Sequence, residues 1–225
     1  MKGLSLRLST LAGMVPPNAS VADVGSDHCL LPIALSSRKD IPFLQAIDNK
    51  KGPYLTMEQA VLEANLSDRI ALSLSDGLSC LDEKVDTIVL AGMGGRRIYE
   101  ILSRGKDRLG QVKTILLDAH KDLLFIRKKL IEFGFVIDEE VLIQEDGVYY
   151  ALMRFVRGKD PNYSQADYLF GPIIRQKKEK IYYSFLFDNK ERIKAILKKD
   201  IPLSERNRYG DLLSLIDSEL SRRPL

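Results

Sequence analysis

Three acidic side chains lie at or just after the ends of three successive short apolar segments. They are Asp23, Asp48 and Asp76. A carboxylate at the end of the second strand of an α/β sheet can accept hydrogen bonds from both hydroxyls of a ribose, and one at the third strand can accept from the amino group of adenine. Each acid alone is also explained as a helix cap or a turn residue. Three at successive strand ends favour a site for a nucleoside-containing ligand.

Glycines stand where such a ligand would approach the backbone. Gly25 follows the first apolar segment, and a side chain at this position would obstruct a close approach. The fourth apolar segment leads into Ala91-Gly92-Met93-Gly94-Gly95, which opens the backbone for a flat substrate at the edge where α/β sheets bind ligands. No Lys-Ser/Thr pair follows, so this run is not a Walker phosphate loop. A tight turn would explain one or two of its glycines, but less readily all three.

Alternating β-rich and helical segments position these residues, which is the pattern of β-α-β units and a mostly parallel sheet. The predicted strands are Ser20–Val24, Phe43–Ile47, Ile70–Ser73, Val85–Ala91, Thr114–Leu117, Phe135–Ile143 and Val148–Val156. The helices predicted between them are Leu31–Ser37, Pro53–Asn65, Gly95–Ser103 and Asp122–Phe133. Glu145-Asp146-Gly147 separates the last two strands, and Asp-Gly is a strong hairpin signal. We expect an α/β fold with a Rossmann-like sheet that ends in an antiparallel hairpin.

The composition changes after Val156. Gly, Pro, Asn and Ser occur together in the segment Gly158–Ser164, which is typical of a linker. We therefore expect a first domain over residues 1–156 and a second over residues 157–225. Two helices are predicted in the second region, Pro172–Lys199 and Leu203–Ser221. Pro202 cannot continue the first of them, so the pair is expected to form an antiparallel hairpin.

Basic residues are concentrated in this second region. Residues 157–225 contain 15 Lys and Arg against 10 Asp and Glu, whereas residues 1–156 contain 19 against 21. A basic element suits a polyanionic partner, because each phosphate that it neutralises releases counterions. A solvated helical face with excess lysine explains the same charge at least as well.

The composition excludes several other classes of protein. With 225 residues, 45% of them hydrophobic and 29% charged, the chain is globular rather than disordered. No apolar run approaches the roughly 20 residues of a membrane span, and Arg7 interrupts the N-terminal apolar residues, so an export signal is not expected. Cys29 and Cys80 have no CxxC spacing, and the two histidines add no ligand pattern. We expect a cytoplasmic protein without a metal, and a monomer is slightly favoured.

Several motifs taken together resemble one protein family. They are Ala22-Asp23-Val24-Gly25-Ser26-Asp27-His28, Gly52-Pro53-Tyr54, Asp76-Gly77-Leu78, Ala91-Gly92-Met93-Gly94-Gly95, Glu145-Asp146-Gly147 and Phe170-Gly171-Pro172. In this order, over nearly the whole chain, they resemble the bacterial TrmK family of tRNA (adenine-22-N1)-methyltransferases. The resemblance implies a class I methyltransferase domain that binds S-adenosyl-L-methionine, followed by a helical hairpin. The chain departs from the family at Leu117-Asp118-Ala119-His120, where the family usually reads close to Leu-Gln-Pro-Asn, and at Cys29, where an aromatic residue is expected.

The resemblance also suggests which residues contact the cofactor and take part in the reaction. The predicted cofactor contacts are Asp23, Gly25, Ser26, Asp48, Asn49, Asp76, Gly77, Ala91 and Gly92. Asp27 and His28, just past the cofactor turn, are the candidates for catalysis, although His28 could equally be a helix-start residue bonded to backbone. Adenine N1 is already nucleophilic, so alignment and an acceptor for the N6 amino group are expected to suffice. The target base has to be exposed or flipped.

The remaining candidates concern the tRNA substrate. The predicted substrate contacts are Arg7, Met93, Gly94 and Gly95. Arg7 lies in the amphipathic segment Leu4–Leu11 and could cover the cofactor, reach a phosphate or be solvated. The cations expected to contact tRNA phosphates are Arg175, Lys177, Lys178, Lys180, Lys198 and Lys199. Four aromatic residues of the hairpin could stack on bases, but core packing is favoured for Tyr182, Tyr183, Phe185 and Phe187.

Two further hypotheses stay open from the sequence. One keeps the methyltransferase fold but changes the substrate to another RNA or to a small molecule. The other is a non-catalytic RNA-binding module that keeps only a vestigial pocket.

Overall fold

The computed structural model describes residues 4–223 and contains one seven-stranded sheet. Its strands are β1 (Ser20–Val24), β2 (Phe43–Asp48), β3 (Ile70–Leu74), β4 (Thr87–Met93), β5 (Thr114–Ala119), β6 (Phe135–Glu145) and β7 (Val148–Arg157). They are arranged in the order β3-β2-β1-β4-β5-β7-β6. The first five strands are parallel, whereas β7 is antiparallel to both β5 and β6. The predicted Rossmann-like sheet with a terminal antiparallel hairpin is confirmed.

Helices cover both faces of this sheet. They are α1 (Leu6–Gly13), α2 (Leu30–Leu35), α3 (Lys51–Glu63), α4 (Gly95–Arg104), α5 (Leu123–Glu132), α6 (Gln165–Phe170), α7 (Pro172–Lys177), α8 (Lys180–Leu197) and α9 (Leu203–Leu220). A short 3₁₀ helix, Lys106–Gln111, was not predicted. Among the residues described, no helix combines the length and hydropathy needed to cross a membrane.

The alternation of side chains along the strands builds two apolar layers. On β1, Val21 packs in the layer covered by α1, α2 and α3, and Ala22 packs in the layer covered by α4 and α5. Ile88 and Val89 on β4 divide between the two layers in the same way. Because both faces are covered, the parallel strands are almost wholly apolar, and only their carboxyl ends remain available for polar chemistry.

The strand order reverses direction at β1. The chain runs outward from β1 to β2 and β3 on one side, and then returns to place β4 and β5 on the other side. In open α/β sheets the crevice at such a switch point, outside the carboxyl ends of the strands, is where ligands bind. The tips of β1, β2 and β4 are therefore the elements that position a site.

One irregularity occurs at the carboxyl end of β4. Ala91 pairs with Asp118 and Met93 pairs with Ala119, so Gly92 is an extra residue in the strand. Gly92 has φ +75°, the left-handed conformation that glycine adopts at such bulges. The strand was predicted to end at Ala91, and the bulge extends its pairing to Met93.

The C-terminal region differs in part from the prediction. Pro172–Lys199, predicted as one helix, is divided into α7 and α8, because Lys178 adopts a left-handed conformation with φ +52°. The additional helix α6 begins with a capping box in which Ser164 and Asp167 bond reciprocally. Helices α8 and α9 pack against each other as the expected hairpin. The proposed division of the chain at residue 156 stays a prediction.

A buried ion pair joins the sheet to this C-terminal region. Arg127 Nε on α5 donates to Glu140 Oε1 on β6 at 3.0 Å, and both side chains are excluded from solvent. Glu140 Oε2 also accepts from the backbone N–H of Ile173 at 3.1 Å, in the first turn of α7. Burial raises the pKa of the Glu140 carboxyl, and the Arg127 charge opposes that effect. A side chain at Gly171 would collide with the Glu140 carboxylate, so glycine is required there.

Candidate active site

Two cavities meet at the carboxyl end of the sheet. The first, which we call the Asp48 cavity, has a volume of about 370 Å³. It is lined by Val24, Gly25, Asp27, Ile47, Asp48, Asn49, Lys50, Pro53, Ser75, Asp76, Gly77, Met93, Arg97 and Ile101. The second, the Asp118 cavity, has a volume of about 160 Å³. It is lined by Arg7, Leu8, Asp23, Gly25, Ser26, Asp27, His28, Leu30, Leu31, Ala91, Gly92 and Asp118. Gly25 and Asp27 line both cavities.

The turn after β1 forms the boundary between the two cavities. Gly25 has φ +83°, a conformation that strains any residue with a side chain. The N–H groups of Gly25 and Ser26 both donate to the carbonyl of Ile47, at 2.8 and 3.2 Å. These bonds hold the turn against the end of β2, so the β1 and β2 tips form one surface.

Asp23 is a buried carboxyl at this turn. Its Oδ2 accepts a 2.6 Å hydrogen bond from Ser26 Oγ, and the side chain lines the Asp118 cavity. Burial raises the pKa of Asp23 to about 6, the Ser26 hydrogen bond opposes the rise, and the neighbouring Asp48 charge adds to it. A cation bound in the cavity would favour the ionised form.

Asp48 and Asn49 occupy the tip of β2. Asp48 is nearly buried, and its Oδ1 accepts from the backbone N–H of Lys50 at 2.8 Å. This bond orients the carboxylate at the start of α3, beside the Asp48 cavity. The arrangement suits an acceptor for paired hydroxyl groups, as predicted for the ribose.

Asp76 lies across the same cavity at the tip of β3, and its carboxylate is already paired. Arg104 Nη1 donates to Oδ2 at 2.9 Å, and Asn49 Nδ2 donates to Oδ1 at 3.3 Å. Arg97 contributes a third, longer contact at 3.8 Å. Gly77 follows with φ +59° and also lines the cavity. These two arginines were not predicted from the sequence; Arg97 lies in the first turn of α4, and Arg104 is its last residue.

The glycines at and after the end of β4 have two different roles. Ala91 and Gly92 line the Asp118 cavity, and a side chain at Gly92 would meet nothing within 4 Å. Gly95 is buried, and a Cβ there would lie 2.9 Å from the carbonyl of Asp122. At Gly94 the same atom would meet the Lys121 side chain. Gly92 therefore leaves the backbone open at the cavity, and Gly94 and Gly95 allow α4 to pack closely against the start of α5. The substrate contacts at Met93, Gly94 and Gly95 stay predictions.

Asp27 and His28 project from the turn into solvent. Their side chains are 63% and 64% exposed, and His28 Nε2 lies 3.5 Å from Asp27 Oδ2. Both line the Asp118 cavity, so they can reach a ligand there. Cys29, which follows them, is fully buried, and burial raises the pKa of its thiol to about 12. Cys29 therefore fills the core beneath the turn and carries no thiolate chemistry.

A polar cluster that the sequence did not assign lies at the tip of β5. Arg7 Nη1 donates to Asp118 Oδ2 at 2.7 Å and to His120 Nε2 at 2.6 Å. Arg7 Nε also donates to Glu145 at 3.3 Å, and its guanidinium lies 4.7 Å from the Tyr150 ring centroid. Arg7 is thus held against the sheet rather than solvated. Asp118 and His120 are the residues at which the chain departs from the TrmK pattern, and that departure was the available signal.

The basic residues of the C-terminal region fall into two groups. Arg175 is neutralised, because it pairs with Asp167 and donates to Glu219 Oε1 at 2.6 Å. Lys177 Nζ donates to the carbonyl of Glu140 at 2.9 Å. Arg175 therefore takes part in the packing of α7, whereas Lys177 is exposed and stays a predicted phosphate contact. Four others are exposed and have no ion-pair partner within residues 4–223, namely Lys178, Lys180, Lys198 and Lys199.

The aromatic residues of α8 differ in how far they are buried. Tyr182 and Tyr183 are buried, which confirms the packing favoured for them, and Phe185 packs against the same cluster. Phe187 is 57% exposed, so core packing was the wrong expectation for that residue. Among the described residues, no group of three or more potential ligand side chains is arranged to hold a metal ion.

Comparisons with known proteins agree with this architecture. The sequence model of the TrmK family, described as tRNA (adenine(22)-N(1))-methyltransferase, matches residues 21–218. The tRNA (adenine(22)-N(1))-methyltransferase of Bacillus subtilis strain 168 is 31% identical over 185 residues, which cover 80% of this chain and 78% of that protein. A crystal structure from Streptococcus pneumoniae has a TM-score of 0.92 at 30% identity and covers 97% of this chain and 100% of that one. The complex of that protein with S-adenosyl-L-methionine has a TM-score of 0.89 at the same identity and coverage.

A parallel sheet with this strand order, acidic residues at the tips of its central strands and an antiparallel β7 define a class I methyltransferase. The match to the family model covers most of the chain. The chain belongs to the TrmK family of tRNA (adenine(22)-N(1))-methyltransferases.

Proposed function

We propose that this protein transfers a methyl group from S-adenosyl-L-methionine to N1 of adenine 22 in tRNA. The observation that carries the proposal is that Asp23, Asp48 and Asp76 line two cavities which share Gly25 and Asp27. The predicted cofactor contacts Ser26, Asn49, Gly77, Ala91 and Gly92 line the same cavities. A nucleoside joined to a charged amino-acid tail is the kind of ligand that such a pair of polar cavities would accept.

The residues fit the parts of the cofactor as follows. Asp48, oriented by the Lys50 N–H, would accept from the ribose hydroxyls. Asp76, at the far side of the cavity, would accept from the adenine amino group. Asp23 would face the methionine ammonium, and the left-handed backbone at Gly25 leaves space for the chain that joins the two ends. When bound, S-adenosyl-L-methionine supplies an electrophilic methyl carbon.

The reaction requires no base before attack. The N1 lone pair forms the bond to the methyl carbon, the bond from that carbon to sulfur breaks, and the positive charge moves from sulfur to the adenine ring. The protein's contribution is alignment and stabilisation of the charge that develops on the base. Asp27 and His28, which are exposed at the junction of the cavities, would contact the incoming nucleotide, with the Asp27 carboxylate facing that charge.

The C-terminal hairpin is the proposed tRNA-binding element. Lys178, Lys180, Lys198 and Lys199 are its exposed cations, and each phosphate that they neutralise would release counterions. Because the proposed substrate is tRNA, we also propose a cytoplasmic location. A monomer would suffice, since one chain contains every residue assigned to the site.

The test combines nucleoside mass spectrometry with defined transcripts. Unmodified bacterial tRNA incubated with the protein and S-adenosyl-L-methionine should yield 1-methyladenosine, and a transcript with guanine at position 22 should yield none. Methylation of another nucleoside, or of a small molecule in place of tRNA, would contradict the proposal.

A charge-reversal variant tests the role of the hairpin. We expect Lys198→Glu with Lys199→Glu to raise the KM for tRNA and leave S-adenosyl-L-methionine affinity unchanged. Charge reversal is preferable to removal of residues 157–225, because α7 and α8 cover apolar residues of β6 and β7 such as Leu142 and Ala151. An unchanged KM for tRNA at low salt would exclude these lysines from the interface.

A further inference from the structure

The tip of β5 holds a buried acceptor atom without a partner. Asp118 is 1% exposed, and its Oδ2 accepts from Arg7, whereas its Oδ1 has no hydrogen-bond partner among the described residues. A buried carboxylate oxygen that has no hydrogen-bond donor destabilises the fold, because its loss of hydration is not compensated. Such an atom is rare in a native fold unless a ligand completes it.

The position of Asp118 places it on the side of the site away from the nucleoside of the cofactor. Asp48 is on β2 and Asp118 is on β5, three strands further along the sheet. Neighbouring strands are about 4.8 Å apart, which separates the two tips by roughly 14 Å. Asp118 pairs in register with Ala91 and lines its cavity beside Gly92, where the backbone has no side chain.

We propose that Asp118 recognises the target adenine by accepting a hydrogen bond from its N6 amino group at Oδ1. This inference rests on the proposed function and adds the residue that selects the base. Arg7 lines the same cavity, and its bond to Oδ2 leaves Oδ1 for the base.

The charge of this acceptor matters for the reaction. As N1 attacks the methyl carbon, positive charge spreads over the adenine ring and its amino group, and the N6 hydrogen becomes a stronger donor. A carboxylate stabilises that charge more than the neutral amide that the TrmK pattern usually has at this position. Guanine has a carbonyl oxygen in place of the amino group, so it would face Asp118 with an acceptor and be rejected.

The first arm of the test is the variant Asp118→Asn. Arg7 donates to Oδ2, so the amide oxygen takes that position and the amide NH₂ replaces Oδ1, which puts a donor where the base needs an acceptor. We expect kcat/KM for tRNA to fall roughly 10- to 100-fold, the range for one hydrogen bond to a charged group. S-adenosyl-L-methionine affinity, measured by titration calorimetry, should stay unchanged. Asp138→Asn, which breaks an arginine pair with Arg154 outside both cavities, is the matched control.

The second arm uses the unaltered protein and an altered substrate. A tRNA with purine riboside at position 22 keeps N1 but lacks the amino group, and its kcat/KM should fall by a similar factor. Asp118→Asn should then lose little more on this substrate, because the bond is already absent.

The outcomes separate the inference from the function on which it rests. Full activity of the unaltered protein on the purine substrate would overturn the role of Asp118, whether or not the variant folds. The role would also be overturned if Asp118→Asn lowered kcat/KM on the purine substrate by as large a factor as on the adenine substrate, because the two losses would then be independent. Weakened S-adenosyl-L-methionine binding in Asp118→Asn would assign Oδ1 to the methionine ammonium instead. Absence of activity on the adenine substrate would defeat the proposed function itself.

Discussion

Ser26 Oγ donates a 2.6 Å hydrogen bond to Asp23 Oδ2 beneath the turn that joins β1 to α2. The carboxyl is 6% exposed, and its burial raises its pKa from 3.8 to about 6. Asp23 is consequently ionised at neutral pH and largely protonated at pH 5. At neutral pH the buried carboxylate can therefore pair with a cationic ligand. Without such a ligand, its burial in the charged form lowers the stability of the free protein.

The affinity for S-adenosyl-L-methionine should depend on pH through Asp23. The methionine ammonium favours the ionised carboxylate, so affinity is constant above the free-protein pKa of about 6 and falls as the pH drops below it. The expected slope is about tenfold per pH unit. Titration calorimetry between pH 5 and 8 measures it, and proton release on binding should appear below pH 6. In Asp23→Asn the dependence should disappear, and an unaltered slope in that variant would assign it to another group.

Asp23→Asn should weaken cofactor binding but increase the stability of the free protein at alkaline pH. A buried acid with a raised pKa contributes stability below its unfolded value of 3.8, and this contribution is lost as the pH rises through about 6. Asp23→Asn removes the buried charge, so its melting temperature at pH 8 should exceed that of the unaltered protein. This comparison also shows that weak cofactor binding in the variant does not result from misfolding.

Asp48→Asn tests the ribose contact. An amide keeps the shape and can still accept from the Lys50 N–H, but it replaces a charged acceptor with a neutral one. We expect S-adenosyl-L-methionine affinity to fall about 10- to 100-fold, with kcat at saturating cofactor much less affected. Asp86→Asn is the control, because Asp86 lies at the opposite end of β4 and bonds to Ser20 N. Equal effects of the two variants would refute a direct contact.

Two glycine substitutions should change stability in opposite directions. A Cβ at Gly95 would lie 2.9 Å from the Asp122 carbonyl and 3.1 Å from Ile126 Cβ, so Gly95→Ala should cost about 1 to 3 kcal/mol of unfolding free energy. Gly210 lies inside α9 with nothing within 4 Å of such an atom. Gly210→Ala should therefore stabilise the protein by about 0.5 to 1 kcal/mol. Denaturant unfolding measures both, and a neutral Gly95→Ala would show that α4 does not require this close approach.

The ion pair between Arg127 and Glu140 should contribute strongly to the stability of the fold. Arg127→Met leaves the Glu140 carboxylate buried without its charge partner, and removes donors to the carbonyls of Tyr168 and Leu169 in α6. The loss should be about 3 to 5 kcal/mol. It should be smaller at pH 5 than at pH 8, because the carboxyl can then be buried as the neutral acid. Urea unfolding at both pH values measures it, and a loss that is independent of pH would mean that packing alone is responsible.

The sequence predicted the features that depend on local pattern. The apolar segments ending at Asp23 and Asp48 and the Asp-Gly turn of the β6–β7 hairpin each follow from residues close together in the chain. The contacts of Arg7 with Asp118 and Glu145 could not be predicted, because they join segments more than 100 residues apart. For the same reason, sequence patterns could not show that Arg175 is neutralised by Glu219 rather than free for tRNA.

The helix break at Lys178 could not be predicted from the sequence pattern either. The surrounding residues have no glycine or proline to mark it, and lysine rarely adopts a left-handed conformation. Ile174 before the break and Tyr182 after it are both buried in one cluster with Leu142 and Ala151 of the sheet. Long-range packing outweighed local helix propensity in this segment.

The extra residue at Gly92 reverses the direction of the side chain that follows it. Along a regular strand, Met93 would point to the same face as Val89 and Ala91, which pack beneath α1, α2 and α3. Instead Met93 packs on the α4 side, and its methyl group comes close to Gly25. If Gly92 left its left-handed conformation and took a regular position in the strand, Met93 would turn to the α1 side and away from Gly25. A single left-handed glycine thus places the Met93 thioether at the wall of the Asp48 cavity, beside the turn after β1.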